Sequence, residues 1–349
     1  MRWKNRPEGS NWGDFGPEDQ LGRVNLIGRE QVLKGAAEIR EGKSFCLSLP
    51  LDLPGGNALN PRRHPPRLQP TYRDDQPMLN FPLNRVDADS IDIVSDDQVL
   101  ITLQYSTQWD SLAHVGARFD AEGDGSEHLV YYNGYRADTD VKGPMQYGDD
   151  GDDHASCCDG PHLSYASALG IQNMAVHGMQ GRGVLVDLER HLGRARTLVG
   201  YDTLHDIMQA DGVTVEPGDF LVLRTGFAEQ VMAMAGQPDP EVLHHTCAVL
   251  NGRDQRLLQW ITDAGIAALC ADNYAVEAYP AAPATGKKSL LPLHHHCLFK
   301  LGIPLGELWY LPELAAALFA AGRSRFMLTA PPLRLPGAVG SPVTPIATV

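Results

Sequence analysis

Three short apolar runs decide the fold class of this chain: GVLVD at residues 183–187, FLVLR at 220–224 and IAALC at 266–270. Each run is five residues long and lacks the alternation of apolar and polar side chains that marks a strand with one solvent-facing side. Runs of this kind are typical of strands that are buried on both faces. The sequence therefore predicts buried central strands in the second half of the chain.

Helical patterns lie between or after these runs, at residues 201–209, 257–264 and 312–321. The last pattern begins with a proline and is followed by Gly322, which is the arrangement that helix ends prefer. Alternation of strands with helices favours a sheet that is covered by helices.

The first half of the chain is richer in predicted hairpins and loops. Apolar residues with helical spacing predict a helix over 29–41, and an alternating pattern predicts a strand over 45–53. The Pro/Arg/Asn-rich stretch 54–85 is too long for a simple connector and is typical of a binding loop. Residues 91–94 and 99–103 flank a polar turn and predict a hairpin. Together the two halves predict an α/β fold with a mixed sheet.

Length, composition and charge exclude several classes of protein. The chain has 349 residues, of which 43% are hydrophobic, and a formal net charge of −14. This composition is globular, and its acidic balance argues against binding of nucleic acid through a basic surface. No apolar run reaches the ~20 residues that span a bilayer, and the charged N-terminus does not resemble a signal peptide. We expect one domain, 1–349, that acts in the cytoplasm on a small molecule, without nucleic acid or membrane partners.

The six cysteines show no Cys-x-x-Cys spacing. They are Cys46, Cys157, Cys158, Cys247, Cys270 and Cys297. Buried thiols in a reducing cytoplasm explain this spread better than a disulfide framework. The acidic run at 149–153 lacks the spacing of a calcium-binding EF-hand, and we interpret it as a solvated loop.

The segment QYSTQWDSLAH at residues 104–114 concentrates polar side chains after a predicted strand. It places Gln104, Gln108, Asp110 and His114 within eleven residues. A carboxylate at the end of a strand, with an imidazole four residues later, can hold a metal ion and a proton-transfer group together. The alternative is an aspartate that caps a turn beside a structural histidine.

A second cluster combines three adjacent histidines, His294, His295 and His296, with the later Glu307. Neutral imidazole is a common ligand of transition metals, and carboxylates suit harder cations. Glu307 lies in an apolar run, where burial of a carboxylate is costly unless it is paired or coordinated. The alternative is a polar helix start with solvated histidines. The residues alone leave open which of the three imidazoles faces a site.

Taken together, the two segments resemble the metal-dependent cyclase/hydrolase family that includes bacterial kynurenine formamidase and isatin hydrolase. The motif of that family is His-x-Gly-Thr-His-x-Asp-x-Pro-x-His, followed much later by a His and, twelve residues on, a Glu. Thr107, Asp110 and His114 match the motif, and His295 and Glu307 are twelve residues apart. Further similarities follow in the right order between about residues 91 and 312.

The resemblance implies a mixed β/β/α fold with a barrel-like central sheet wrapped by helices. Residues 1–90 would then be an N-terminal extension and loop-rich region packed on the cyclase-like domain. The resemblance also implies a homodimer or homotetramer. Its metal shell would consist of Asp110, His295 and Glu307, and His114 would be the proton-transfer histidine.

Two departures from the motif bear on metal binding, because Gln104 and Gln108 replace its two early histidines. In two-metal relatives those histidines hold one ion, so we expect this chain to bind at most one divalent ion tightly. Gln108 could still add a neutral carbonyl oxygen to the shell. With one nitrogen and mostly oxygen donors, the shell favours Mn²⁺ or Mg²⁺ over Zn²⁺, which remains an alternative.

The reaction expected from this shell is hydrolysis of a C–N bond in a small amide, lactam or formamide. Metal-bound water would be the nucleophile and His114 the general acid and base. Two alternatives remain: a metal-free cyclase, dehydratase or isomerase that uses His114 and Asp110, and a catalytically silent small-molecule-binding protein. The candidate substrate-binding residues are Gln104, Tyr105, Thr107 and Trp109. Core packing is an equal alternative for Trp109. Arg62 and Arg63 could meet a substrate carboxylate, and the alternative for both is a solvated loop.

Overall fold

The structure is a computed structural model that describes residues 2–147, 153–155 and 163–349. Its centre is a nine-stranded mixed sheet that curls into a half barrel. The strands of this sheet are β1 (Ser44–Cys46), β2 (Gln108–Asp110), β3 (Gln180–Asp187), β4 (Phe220–Arg224), β5 (Ala268–Ala271), β6 (Leu305–Glu307), β7 (Arg325–Thr329), β8 (Gly340–Pro342) and β9 (Ile346–Thr348). Most of the acidic run, residues 149–152, lies outside the described residues, as do Cys157 and Cys158.

The strand order across the sheet is β1-β9-β7-β3-β4-β5-β6-β2-β8. The four central strands from β3 to β6 run parallel, and the flanking pairs on both sides are antiparallel. The mixed α/β fold expected from the sequence is thereby confirmed. The three apolar runs that predicted it form β3, β4 and β5, although β5 begins two residues later than expected.

The apolar runs within β3, β4 and β5 are buried because both faces of the sheet are covered here. Along β4, Leu221 and Leu223 belong to one buried cluster, and Phe220 and Val222 belong to another on the opposite face. Since successive side chains of a strand point to opposite faces, one strand contributes to two cores at once. This arrangement explains why the run shows no alternation of apolar and polar residues.

Nine helical segments surround the sheet in the described part of the chain. They are α1 (Arg29–Ala36), α2 (Gln172–His177), α3 (Leu188–Leu192), α4 (Tyr201–Ala210), α5 (Phe227–Ala233), α6 (Pro240–His245), α7 (Gln255–Ala264), α8 (Pro292–His294) and α9 (Pro312–Ala320). A π-helix, His295–Leu301, continues directly from α8. Short 3₁₀ segments occur at Gly22–Leu26, Leu83–Arg85 and Tyr132–Gly134. Among the helices of the described residues, none combines the length and the apolar character that crossing a bilayer requires.

The hairpin predicted from 91–94 and 99–103 does not form. Ile93–Val94 pairs with Phe81–Pro82, and Asp97–Leu100 pairs with Arg67–Pro70. The partners come from the stretch 54–85, which we expected to be a loop. Residue pattern can identify a strand, but it does not identify the strand that pairs with it. The remaining two-stranded ladders join Tyr72–Arg73 with Gln76–Pro77, Ala117–Phe119 with His128–Val130, Val141–Lys142 with Tyr165–Ala166, Met145–Gln146 with His154–Ala155, and Thr197–Val199 with Ala248–Leu250.

Two other elements of the first half are shorter than predicted. The helix expected over 29–41 ends at Ala36, and the strand expected over 45–53 is limited to β1. Glu41 and Gly42 instead donate backbone hydrogen bonds to the carbonyl of Val349, which draws this segment toward the edge of the sheet. Of the described cysteines, Cys247, Cys270 and Cys297 are buried free thiols, and Cys46 is exposed.

Candidate metal centre

Two neighbouring antiparallel strands bring an amide and two carboxylates to one face of the sheet. In β2, Gln108 and Asp110 are two residues apart and point to the same side. Glu307 in β6 is directly opposite Gln108 in the register of the two strands. All three side chains are buried. The Nε2 amide of Gln108 donates to Oδ1 of Asp110 at 3.2 Å and to Oε2 of Glu307 at 3.3 Å.

The imidazole at this site comes from His294, the last residue of α8. Its Nε2 lies 3.3 Å from Oε1 of Glu307. Its Nδ1 lies 2.8 Å from Oε1 of Glu277, a buried carboxylate that also accepts the backbone N–H groups of Leu293 and His294. Asp110, His294 and Glu307 each offer one ligand atom, and these three atoms lie within 4.8 Å of one another.

The structure therefore places His294, and not His295, beside the two carboxylates. The imidazole of His295 packs instead against the ring of Phe299, at a centroid distance of 4.8 Å. The π-helix that begins at His295 closes its hydrogen bonds over five residues, whereas an α-helix closes them over four. The imidazole at the site is thirteen residues before Glu307 and not twelve, and the π-helix lies within that interval. The third histidine, His296, bonds to Oγ1 of Thr262 at 2.9 Å.

Burial and mutual contact shift the protonation of the three groups. Burial raises the pKa of Asp110, against the opposing charge of His114. For Glu307, burial also acts to raise the pKa, but the hydrogen bond and charge of His294 outweigh it and leave the pKa below its usual value. Burial alone would lower the pKa of His294, yet its hydrogen bonds to Glu277 and Glu307 raise the pKa to about 10.

The other two histidines of the triplet have the opposite protonation behaviour. Burial and the charge of Lys300 lower the pKa of His295 and of His296 to about 4. At neutral pH the three adjacent imidazoles thus differ in charge, because only His294 faces carboxylates. The environment of each ring, and not its position in the sequence, sets its charge.

Two unpartnered atoms indicate that the site suits a cation. Within the described part of the chain, Oδ2 of Asp110 and Oε1 of Gln108 are buried acceptors without a hydrogen-bond donor. An orphaned buried acceptor is costly, and a cation is one way of satisfying it. The contact of His294 with Glu277 fits as well, because metal-bound histidines commonly donate their second ring N–H to a carboxylate. The donor set of one imidazole and two carboxylates therefore fits one divalent ion.

His114 lies at the outer side of this cluster. Its Nε2 is 3.8 Å from Oδ1 of Asp110, and its side chain is 22% exposed. His114 closes a turn by donating its backbone N–H to the carbonyl of Ser111. The imidazole therefore touches the carboxylate cluster on one side and remains accessible on the other, as a proton-transfer group requires.

Three of the predicted substrate-binding residues have structural partners in the fold. Trp109 points to the opposite face of β2, where it is fully buried and packs edge-on against Trp309. The hydroxyl of Thr107 donates to the carbonyl of Leu308 and accepts from the backbone N–H of Leu49. The hydroxyl of Tyr105 donates to the carbonyl of Gly56 at 2.9 Å. Their roles toward a substrate remain predictions.

Gln104, the fourth predicted residue, lies on the same side of the sheet as Asp110. In β8, Gly340 is directly opposite Asp110, and a Cβ on this glycine would come within 2.4 Å of Nε2 of Gln104. Glycine at this position thus leaves room for the amide. Arg63 donates to the backbone carbonyl of Gln104 at 2.7 Å and lies above the ring of Tyr274. The loop that we predicted from composition therefore reaches this edge of the site.

Glu277 is the residue of the site that the sequence analysis did not identify. It lies in the apolar run Ala275-Val276-Glu277-Ala278 and is completely buried. An isolated carboxylate in an apolar run is the same signal that singled out Glu307. The same pattern therefore indicates Glu277 as well.

Comparison with known proteins identifies a family and several similar structures. A family model described as "Putative cyclase" matches residues 47–278, more than half of the chain. A crystal structure described as that of a novel cyclase is 30% identical, with a TM-score of 0.73, and the match covers 97% of each chain. No curated protein matches the sequence significantly.

Isatin hydrolases are among the similar structures. Isatin hydrolase A from Labrenzia aggregata, bound to benzyl benzoate, is 12% identical with a TM-score of 0.53; the match covers 91% of this chain and 97% of the other. An isatin hydrolase bound to the product analogue thioisatinate is 13% identical with a TM-score of 0.53; the match covers 93% of this chain and 99% of the other. At these identities the likeness shows a shared fold. From the extent of the family match and the 30% identical structure, this chain belongs to the cyclase family.

Proposed function

We propose that this chain is a metal-dependent hydrolase that cleaves a C–N bond in a small amide, lactam or formamide. The observation that carries the proposal is the convergence of Asp110, His294 and Glu307, whose ligand atoms lie within 4.8 Å of one another in a buried position. Membership in the cyclase family supports an enzyme, and the donor set supports a divalent ion as its cofactor.

Asp110, His294 and Glu307 would hold the ion, and Glu277 would keep the imidazole oriented with Nε2 toward it. A bound divalent ion would supply a Lewis acid that polarises a carbonyl oxygen and lowers the pKa of water. One nitrogen and two carboxylate donors favour Mn²⁺ or Mg²⁺ over Zn²⁺. Gln108, whose amide nitrogen donates to both carboxylates, keeps them oriented.

His114 is the residue that we assign to proton transfer. Its Nε2 lies 3.8 Å from Asp110, so the carboxylate can orient the ring and stabilise its protonated form. From this position the imidazole can remove a proton from the attacking water and later deliver it to the leaving nitrogen. The partial exposure of the side chain gives it access to a substrate that enters from solvent.

One observation favours a second candidate, a metal-free cyclase, dehydratase or isomerase. The Gln108 amide bridges Asp110 and Glu307, and His294 with a pKa raised to about 10 supplies a positive charge beside Glu307. These groups can hold the two carboxylates together without an ion. In this candidate, His114 and Asp110 would carry out the acid–base chemistry alone.

Chelation separates the two candidates. The full chain is screened against N-formyl amines, small lactams and isatin, the last chosen because isatin hydrolases share the fold. The hydrolase proposal predicts turnover that is lost after exhaustive chelation and restored by Mn²⁺, and that is lost in Asp110→Asn. Asp202→Asn, an exposed residue paired with Arg256, is the matched control and should retain full activity. Turnover that persists after chelation would contradict the hydrolase proposal and support the metal-free candidate.

A further inference from the structure

The helical segment that carries His294 also borders a large cavity. This cavity has a volume of about 1080 Å³ and is lined by Pro292, His295 and His296 from that segment. Asp110, Glu307 and His294 are not among its lining residues. None of the candidate metal ligands thus lines the cavity, and none of its lining residues has a role in the hydrolase proposed above.

Basic side chains dominate the charge of this cavity. Its lining includes five cationic residues, Arg118, Arg253, Lys287, Lys288 and Lys300, and two acidic ones, Glu8 and Glu127. In a chain with a net charge of −14, such a local excess of positive charge departs from the overall balance. A concave site lined by one sign of charge concentrates ligands of the opposite sign.

Three of these cations are held by backbone carbonyl groups. Arg253 donates to the carbonyls of Ala282 and Ser289, and Lys300 donates to the carbonyl of Glu8 at 3.0 Å. Lys288 donates to a backbone carbonyl four residues earlier. The ion pairs found among the described residues at this cavity involve Lys287 and Arg118, which share Glu127. Carbonyl contacts orient the three cations without neutralising them, so their charge remains available to an anion.

The size and remaining lining of the cavity exclude a simple inorganic ion as the best occupant. Small-molecule sites typically have volumes of ~300–1,000 Å³, and this cavity is slightly larger than that range. Apolar surface from Leu258, Pro292 and Ala117 lies beside the basic groups. The combination suits a molecule with an organic body and charged oxygen groups at its ends.

We propose that this cavity binds a small organic anion that carries two or more negative charges on phosphate or carboxylate groups. Lys288, Lys300 and Arg253 recognise the charged oxygens, since charge-assisted hydrogen bonds from ammonium and guanidinium groups are the strongest contacts that such oxygens make. The inference goes beyond the proposed hydrolase, because it concerns binding at a site without the candidate metal ligands.

The test is calorimetric titration of the full chain with tripolyphosphate and, separately, with citrate at low ionic strength. We expect saturable binding of at least one probe, with one site per chain and an affinity that falls as salt is added. Removing one charge-assisted contact costs about tenfold in affinity, so Lys288→Met combined with Lys300→Met should weaken binding by roughly 100-fold. Lys43→Met combined with Lys142→Met alters two exposed lysines outside the cavity; this charge-matched control should bind as the unaltered chain does.

The probes also identify the chemistry of the ligand. Preference for tripolyphosphate indicates a phosphorylated ligand, and preference for citrate indicates a polycarboxylate. Absence of saturable binding by both probes would overturn the proposal. So would an equal loss of affinity in the Lys43/Lys142 control and in the Lys288/Lys300 variant, since binding would then depend on overall charge and not on the cavity. Thermal unfolding of each variant verifies that it is folded, and turnover is not needed for any readout.

Discussion

Replacing Glu277 by glutamine alters the buried carboxylate that holds His294 in place. Oε1 of Glu277 accepts both the ring Nδ1–H and the backbone N–H of His294, and Oε2 accepts the backbone N–H of Leu293. A glutamine can keep its oxygen at only one of the two positions, so its amide nitrogen must face a donor at the other. The loss of negative charge also makes the imidazole a weaker metal ligand. We therefore expect Glu277→Gln to weaken both metal binding and the fold.

The two effects have different sizes and can be measured separately. Loss of the carboxylate partner of a metal-bound histidine typically costs 10–100-fold in metal affinity. At a Mn²⁺ concentration of about 100 times the dissociation constant, the ion stabilises the intact site by about 2.7 kcal/mol. A 100-fold weaker site would gain only about 0.4 kcal/mol at the same concentration. The buried donor left without an acceptor lowers the stability of the metal-free chain by roughly 1–3 kcal/mol.

The assay is denaturant unfolding of both chains with and without Mn²⁺. Glu241→Gln is the matched control, because Glu241 is an exposed glutamate whose side chain is 82% accessible. The control should keep the full Mn²⁺-dependent stabilisation. If Glu277→Gln shows the same Mn²⁺-dependent stabilisation as the control, then Glu277 does not support a metal ligand and the reasoning is refuted.

Three further substitutions probe the site and its strand. His114→Gln should lower kcat by roughly 10²–10⁴-fold without changing metal content, since it removes only proton transfer. His205→Gln, at an exposed histidine, is the control. A loss of metal together with activity in His114→Gln would contradict the proton-transfer role. Gln108→His should strengthen Zn²⁺ binding at least tenfold in calorimetry, because imidazole is a better zinc ligand than an amide. An unchanged affinity would show that the side chain at position 108 does not reach the metal ion. Trp109→Ala should lower the free energy of unfolding by roughly 3–5 kcal/mol in urea titration, and a loss below about 1 kcal/mol would contradict its core position.

The central strands could be predicted because their burial leaves a direct trace in the sequence. A strand segment covered on both faces is mostly apolar, and residues 184–186 of β3 and 220–223 of β4 follow that rule. In the first half of the chain, the residue pattern did not indicate which strands pair with each other. Asp97–Leu100 has four exposed residues, so no hydrophobic face specifies its partner, and its actual partner lies about thirty residues earlier in the chain.

The directions of the side chains along β2 could be predicted from the sequence. Gln108 and Asp110 are two residues apart, so they share a face in any strand, and the residue between them must point to the opposite face. That rule assigns Trp109 to the core and the two polar residues to the site. Trp109 fits this assignment, since its indole N–H donates to the buried carbonyl of Ala330 at 2.8 Å.

The imidazole of the site could not be selected from spacing alone. The twelve-residue separation pointed to His295, but the structure places His294 beside the carboxylates and a π-helical turn directly after it. Such turns depend on packing around the segment, here of buried residues such as Leu298 and Phe299, and local sequence preference does not determine them. Adjacent histidines are therefore distinguished only by the three-dimensional contacts that each one makes.

Metal content of the purified full chain, measured by mass spectrometry after growth with added Mn²⁺ and Zn²⁺, tests the central claim most directly. The account predicts one divalent ion per chain, and loss of that ion in Asp110→Asn but not in Asp202→Asn. A metal content far below one ion per chain, or one that is equal in the two variants, would contradict it.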